Sequence, residues 1–253
     1  MDMRIVAIET SGREGSVAVA AGGLLLRERT LPATVRHASE MAPAVQELVR
    51  WENWAPREIE QVYVSLGPGS FTGLRVATAF ARALSQAVGC KLVGVPSLDV
   101  IAQNAPHEFG VVVPVLDAKR GQVFAAQFER NAAGELERTV EAGLVDPAEF
   151  VRAAAERGRE LGGKVAVLGE GVEYHRAALL AGAAMGGGDV AELEKNLWHG
   201  RAAVVHRLGY AMAMRGEFTE PVTLLPIYVR LPEAEEVWRR KAQAAALKAQ
   251  DGK

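Results

Sequence analysis

The chain has 253 residues, of which 49% are hydrophobic and 24% charged, with a formal net charge of −2 at pH 7; that is an ordinary globular composition with core enough for one large domain or two small ones. The charge balance argues against a protein that grips nucleic acid by itself, because neutralising phosphates needs a basic surface, although a local basic patch stays open. A single cysteine, Cys90, excludes an intrachain disulfide and suits a reducing cytoplasm. No window approaches the roughly 18 consecutive apolar residues of a membrane span, and no targeting segment is visible, so a soluble cytoplasmic chain without a membrane partner is expected.

In chain order, Arg4 to Ile8 reads as a strand, Glu9 to Glu14 as a polar turn, and Gly15 to Ala20 as a second strand. Gly22-Gly23 is a hairpin turn, Leu24 to Leu31 a third strand, and Pro32 ends it. Ala38 to Trp51 is helical, with Met41, Val45, Leu48 and Val49 at helical spacing and Pro43 placed in the first turn. Gln61 to Leu66 is a strand, Thr72 to Val88 an alanine-rich helix, Lys91 to Val95 a strand and Ser97 to Gln103 a short helix.

The order then restarts. Val111 to Leu116 is a strand ending in an acid, Asp117, as the first strand ends in Glu9. Gln122 to Phe128 and Glu135 to Leu144 follow as strands about a turn at Asn131 to Gly134, then the helix Pro147 to Leu161, the strand Val165 to Leu168 and the long helix Arg201 to Arg215. Two copies of one strand–helix order imply an internal duplication, with a boundary near Asn104 to Gly110. The expected organisation is a first lobe over 1–104 joined by a returning helix at about 201–215, a second lobe over 105–200, and a C-terminal segment over 216–253. Glu235/Arg239 and Glu236/Arg240 at i,i+4 spacing, followed by Ala242 to Leu247, predict a partly helical, solvated tail.

The most specific stretch is Ser65-Leu66-Gly67-Pro68-Gly69-Ser70-Phe71-Thr72-Gly73-Leu74-Arg75. A strand entering a Gly/Pro turn and leaving as a helix gathers free backbone N–H groups at one point, which can hold an anion or admit another backbone very closely. A P-loop is excluded, because Gly73 is followed by Leu74-Arg75 instead of Lys and a hydroxyl residue. The G-x-G-x-x-G pattern fails as well, and Ser70 or Thr72 is the expected N-cap.

As a whole this segment, continued to Ala102, strongly resembles the signature of the TsaB family, also called YeaZ-like. The resemblance extends to Arg4–Ser11, Gly15–Val19, Arg36–Glu40, Val115–Phe124 and Pro226–Arg230, in order over nearly the whole chain, and is weakest from Glu149 to Gly200. It implies a duplicated, two-lobed α/β fold of the actin-like ATPase (acetate and sugar kinase/Hsp70/actin) architecture. It also implies a non-catalytic subunit of bacterial tRNA threonylcarbamoyladenosine biosynthesis, with a TsaD-type transferase and a TsaE-type ATPase as partners and tRNA reached through the complex. In such a family the Ala38–Trp51 and Thr72–Val88 helices bundle with the equivalent pair of TsaD, or of a second copy when the chain is alone. His37, Met41, Val45, Leu48, Gly69, Phe71, Thr72, Arg75, Ala79 and Ala83 are then the partner-facing residues. The small residues of the second helix by themselves leave two uses open, a helix sandwiched inside its own core or one with a face on a partner.

Kinases of this architecture keep acids where Glu9 and Asp117 stand, followed by small phosphate-binding turns. Here the turns read Glu9-Thr10-Ser11-Gly12-Arg13-Glu14 and Asp117-Ala118-Lys119-Arg120-Gly121, whose bulky charges crowd a triphosphate. Glu9, Thr10, Ser11 and Asp117 are therefore read as remnants of a nucleotide site, and no cofactor is expected beyond ATP or ADP at a complex interface. The rival reading is an active small-molecule kinase or ATPase with an unusual phosphate loop. TsaD carries a His-x-x-x-His metal pair, but Met41 stands four residues after His37, and soft thioether suits a hard cation poorly. His199 and His206 could share a helix face without completing a site, and His107 and His175 read as surface loop residues. No nucleophile elbow or metal set is found, so the expectation is a chain without catalytic residues.

Overall fold

The structure, a computed structural model, describes residues 3–31 and 37–227. The strand-ending Pro32, Arg36 of the family-like stretch, Tyr228-Val229-Arg230 and the expected helical tail beyond Pro232 lie outside the described residues. Nothing is described of the His37 and Ala38 side chains either.

The first half comprises β1 (Arg4–Glu9), β2 (Gly15–Ala21), β3 (Leu24–Leu31), α1 (His37–Trp51), β4 (Gln61–Gly67), α2 (Phe71–Val88), β5 (Lys91–Pro96) and α3 (Ser97–Ala102). The second comprises β6 (Phe109–Asp117), β7 (Val123–Arg130), β8 (Leu136–Val145), α4 (Pro147–Glu160), β9 (Lys164–Leu168), α5 (Gly171–Gly186) and β10 (Val190–Glu192), and α6 (Ala202–Met214) follows. The sheets run β3-β2-β1-β4-β5 and β10-β9-β6-β7-β8. In each, the opening strand pairs antiparallel with the next and parallel with the fourth, so the second sheet repeats the first strand for strand.

Alternation along β1 explains the layering. Val6 and Ile8 point into a core with Met41, Val45 and Leu48 of α1 and Ala77 and Ala81 of α2. Ile5 and Ala7 point to the other face, against Ala202 and Val205 of α6. A strand buried on both faces reads as a nearly continuous apolar run, as Ile5 to Ile8 does. The second sheet is covered by α4 and α5, with Leu98 and Ile101 of α3 closing its edge of the core.

Local signals set the ends. The Ser70 hydroxyl caps α2 by accepting from Gly73 N–H at 3.3 Å, and Gly89 ends it in a left-handed conformation with its N–H on Ser85 O. Asp146 caps α4 through the N–H groups of Ala148 and Glu149. Pro43 lies in the second turn of α1, since the helix begins at His37, and its missing ladder bond falls on the exposed face. α5 and β10 occupy the stretch for which the sequence suggests no element.

Candidate functional site

The Gly-rich turn after β4 is filled by the chain's own backbone. A Cβ on Gly69 would sit 2.3 Å from Ser11 O, and one on Gly73 would sit 2.1 Å from Thr10 O. Ser70 N–H donates to Ser11 O at 2.7 Å, and the Thr10 hydroxyl donates to Gly73 O at 2.9 Å. Thr10 N–H reaches Ser65 Oγ at 3.4 Å. Carbonyls of the β1–β2 turn thus occupy the helix N-terminus where an anion would otherwise collect the free N–H groups. Of the two uses the sequence leaves open for this turn, close backbone packing is the one this geometry displays.

The two acids that end β1 and β6 are also engaged. Glu9 is fully buried; one carboxylate oxygen accepts from Ser11 N–H at 2.6 Å, and the other has no hydrogen-bond partner among the described residues. Burial pushes the Glu9 carboxyl above its usual range, against the pull of the Ser11 bonds. Gly200 closes over it, since a Cβ there would lie 2.8 Å from the Glu9 carboxyl carbon. Asp117 accepts from Lys119 N–H at 2.9 Å and from Lys119 Nζ at 2.6 Å, and its Oδ1 lies 3.0 Å from His175 Nε2. Burial raises the Asp117 pKa, but the Lys119 and His175 bonds outweigh it and hold the carboxyl below its usual range. His175 is on α5 with a side chain only 10% exposed, which corrects the reading of a surface loop: its partner is 58 residues away.

Glu170 bridges the lobes. Its Oε1 accepts from Arg13 N–H of the β1–β2 turn at 2.6 Å and lies 3.1 Å from His199 Nδ1. Burial raises the Glu170 pKa, yet the bonds to His199 and Arg13 dominate and hold it low, while the same carboxylate raises His199. A backbone donor at the tip of the turn, the kind of group a phosphate would use, is satisfied by a carboxylate of the chain itself. His206 bonds Gly22 O at 2.8 Å and stacks on Tyr63; burial lowers its pKa against the pull of the Gly22 bond. His199 and His206 therefore turn to different partners. Among the described residues no group of three or more His, Cys, Asp or Glu could hold a metal ion.

The helices before and after this turn divide the expected partner-facing residues. Met41, Val45 and Leu48 are 1%, 4% and 1% exposed and belong to the first-lobe core. The spacing that marks an apolar face is the face α1 turns to its own sheet. Gly69 is taken up by the contact with Ser11. Phe71 is 44% exposed, and Thr72, Arg75, Ala79 and Ala83 share that outward row of α2. The Arg75 guanidinium lies 3.9 Å over the Phe71 ring. α1 adds the exposed Ala42, Pro43 and Gln46. The helix thus has one face on its sheet and, among the described residues, exposed small side chains at Ala79 and Ala83 on the other.

Two lobes with one repeated sheet order, meeting at the strand ends that carry Glu9, Asp117 and Glu170, define a duplicated two-lobed α/β fold. Residues 31–192 match the family model described as TsaD: tRNA N6-adenosine threonylcarbamoyltransferase. The chain is 29% identical over 239 residues to the tRNA threonylcarbamoyladenosine biosynthesis protein TsaB of Bacillus subtilis, covering 93% of this chain and 98% of that one. It is 29% identical over 171 residues to the protein of the same name from Escherichia coli, 67% of this chain and 72% of that one. The solved structure of YeaZ from Pseudomonas aeruginosa superposes with a TM-score of 0.70 at 22% identity, over 89% of this chain and 99% of that chain, a likeness of fold. This chain belongs to the TsaD-related family and, within it, to the TsaB/YeaZ branch. Among the described residues no helix is long and apolar enough to cross a membrane.

Proposed function

We propose that the chain is a non-catalytic accessory subunit in the biosynthesis of N6-threonylcarbamoyladenosine, the modified adenosine 3′ to the anticodon of tRNA. In this reading it docks through α2 on a TsaD-type transferase subunit, holds that subunit's competent conformation, and helps recruit a TsaE-type ATPase and tRNA. Membership of the TsaB/YeaZ branch supports the pathway. The observation that supports the docking role is the pairing of a phosphate turn plugged by the chain's own backbone with an adjoining helix that exposes the small side chains of Ala79 and Ala83.

Chemistry is assigned to the partner. Glu9 is buried under Gly200 and Asp117 is paired with Lys119 and His175, so neither acid is disposed to activate water. Small residues on α2 let a partner helix approach closely and bury backbone, while Arg75 offers a guanidinium to a carboxylate.

Calorimetric titration of the TsaD-type subunit from the same organism tests the docking face. Ala83→Glu places a charge in the helix contact and is expected to weaken binding at least about 100-fold, the cost of burying an unpaired charge being several kcal/mol. Arg75→Glu is expected to weaken it about tenfold or more. Ala83→Glu should melt like the parent, since the position is exposed, and Arg75→Glu is expected to lose in addition the stacking on Phe71. Unchanged affinity in both would remove α2 as the docking face.

A further inference from the structure

Two crossovers join the lobes, residues 103–108 between α3 and β6 and residues 193–201 between β10 and α6. In a two-lobed protein whose cleft opens and closes, such segments absorb the change in backbone angle, so their peptide groups must be free to turn. Here side chains hold them. The Arg130 guanidinium, carried on β7, donates to Ala105 O at 2.8 Å, to Pro106 O and Phe109 O at 3.2 Å each, and to Gly134 O at 2.9 Å. The Asn104 amide donates to Leu197 O at 2.9 Å and to His199 O at 2.8 Å, which ties the first crossover to the second.

The second crossover is fastened at both ends. Trp198 is buried in the second-lobe core, and its indole N–H donates to Leu193 O at 2.8 Å. At the other end Ala202 N–H donates to Ser16 Oγ at 2.7 Å and Ala203 N–H to the Glu28 carboxylate at 3.0 Å, both on the first sheet. Arg201 pairs with the same carboxylate. The short helix α3 is shared between the lobes: Val100 packs with α6 on the first, Leu98 and Ile101 lie in the core of the second, and Asp99 pairs with Arg138 of β8. Across the cleft, Glu170 holds Arg13 N–H and His199. Rotating one lobe on the other would break these ties together and leave a guanidinium, an amide and their carbonyls without partners in one step.

We propose that Arg130 and Asn104 are positioning residues that lock both crossovers, so that the chain holds its two lobes at one fixed angle with the cleft shut over Glu9. A chain built this way is a rigid spacer between whatever docks on its first lobe and whatever docks on its second. The lock belongs to the chain alone, does not rest on the proposed function, and is tested without any partner protein.

The full-length chain carries one spin label per lobe, at Ala211→Cys on α6 and Ala153→Cys on α4, both exposed. It is diluted with unlabelled chain so that only distances within one copy are read. The native Cys90 is buried, with its thiol pushed up to about 11 by burial, and takes no label. Electron–electron double resonance is expected to give one narrow distance. Arg130→Ala combined with Asn104→Ala is expected to shift or spread that distance by more than about 2 Å, the scale of a domain rearrangement. A pair confined to the second lobe, Val140→Cys with Ala153→Cys, is expected to keep its width in the same background. A broad or two-peaked distribution in the parent would overturn the proposal. So would a folded double variant whose interlobe distance is unchanged, or one in which the pair within the second lobe spreads equally. Should the double variant not fold, Asn104→Ala and Arg130→Lys are read singly, the lysine being a point charge that cannot span four carbonyls; a shift in neither would overturn the proposal.

Discussion

Replacing Gly73 by alanine separates two physical accounts of the Gly-rich turn by the sign of the effect. Gly73 lies in the first turn of α2, where alanine in an otherwise free helix is favoured over glycine by about 1 kcal/mol. If the glycine merely punctuates the chain, the variant is more stable than the parent. In the structure the new Cβ falls 2.1 Å from Thr10 O, far inside the 3.4 Å at which ordinary contact begins. The obstacle is a backbone carbonyl, so the β1–β2 turn and the helix must move apart by roughly 1 Å, an overpacking strain of about 1–3 kcal/mol. That separation loosens the Thr10 Oγ1–Gly73 O and Ser70 N–Ser11 O bonds, worth about 1 kcal/mol each net. Set against the helical gain, the expected loss is about 2–4 kcal/mol, read as a lower urea midpoint at unchanged slope. Gly89→Ala is the comparison, because nothing lies within 4 Å of its Cβ and only the positive φ of 77° opposes it; its expected loss is about 1–2 kcal/mol. A Gly73→Ala chain as stable as the parent, or more so, would refute close packing as the function of the turn.

Two other perturbations are expected to show up as pH dependence. The Glu9 carboxyl is raised above its ordinary 4.5 by burial, so its contribution is intact below pH 4.5 and is lost as pH rises through the folded value. Glu9→Gln should therefore be more stable than the parent at pH 8, with the gain fading toward pH 4 in denaturant titrations; a gain independent of pH would contradict the assignment. For the Glu170–His199 pair, Glu170 is held below 4.5 and His199 above 6.5. The carboxylate contributes above pH 4.5 and loses its effect as pH falls through its folded value, whereas the imidazolium contributes below 6.5 and loses its effect as pH rises through its own. Glu170→Gln should then cost most near pH 5.5, about 1 kcal/mol for a partly solvated pair, and less above pH 8; a cost that keeps growing from pH 5.5 to pH 8 would reverse the reasoning.

Much of the first sheet was legible because each strand is a short apolar run bounded by turn residues, and because Glu9 and Asp117 close equivalent strands in the two halves. α5 was not, for a reason visible in its packing. Gly182 and Gly186 let it press onto α4, where their Cβ atoms would meet Ala148 O at 2.2 Å and Arg152 O at 2.5 Å, and glycines inside a helix read as a loop. Helical spacing in α1 identified an apolar face at Met41, Val45 and Leu48 but carried no information on what that face meets, and the answer is its own sheet. The bridges from Glu170 to Arg13 and His199, and from His175 to Asp117, join residues remote in sequence; no local pattern announces them. The small residues of α2 and the crowded turns after the two acids were signals on the page of the sequence, and they are the features on which the functional reading stands.

The central claim is that this chain assists a transferase without performing chemistry itself. Its most direct test is an omission experiment, in which threonylcarbamoyladenosine formation is reconstituted from the same organism's TsaC-type synthase, TsaD, TsaE and tRNA, with and without this chain. The account predicts that product is lost on omission and that the chain alone turns over no ATP. Product formed equally well without it, or ATP hydrolysis by the isolated chain, would contradict the account.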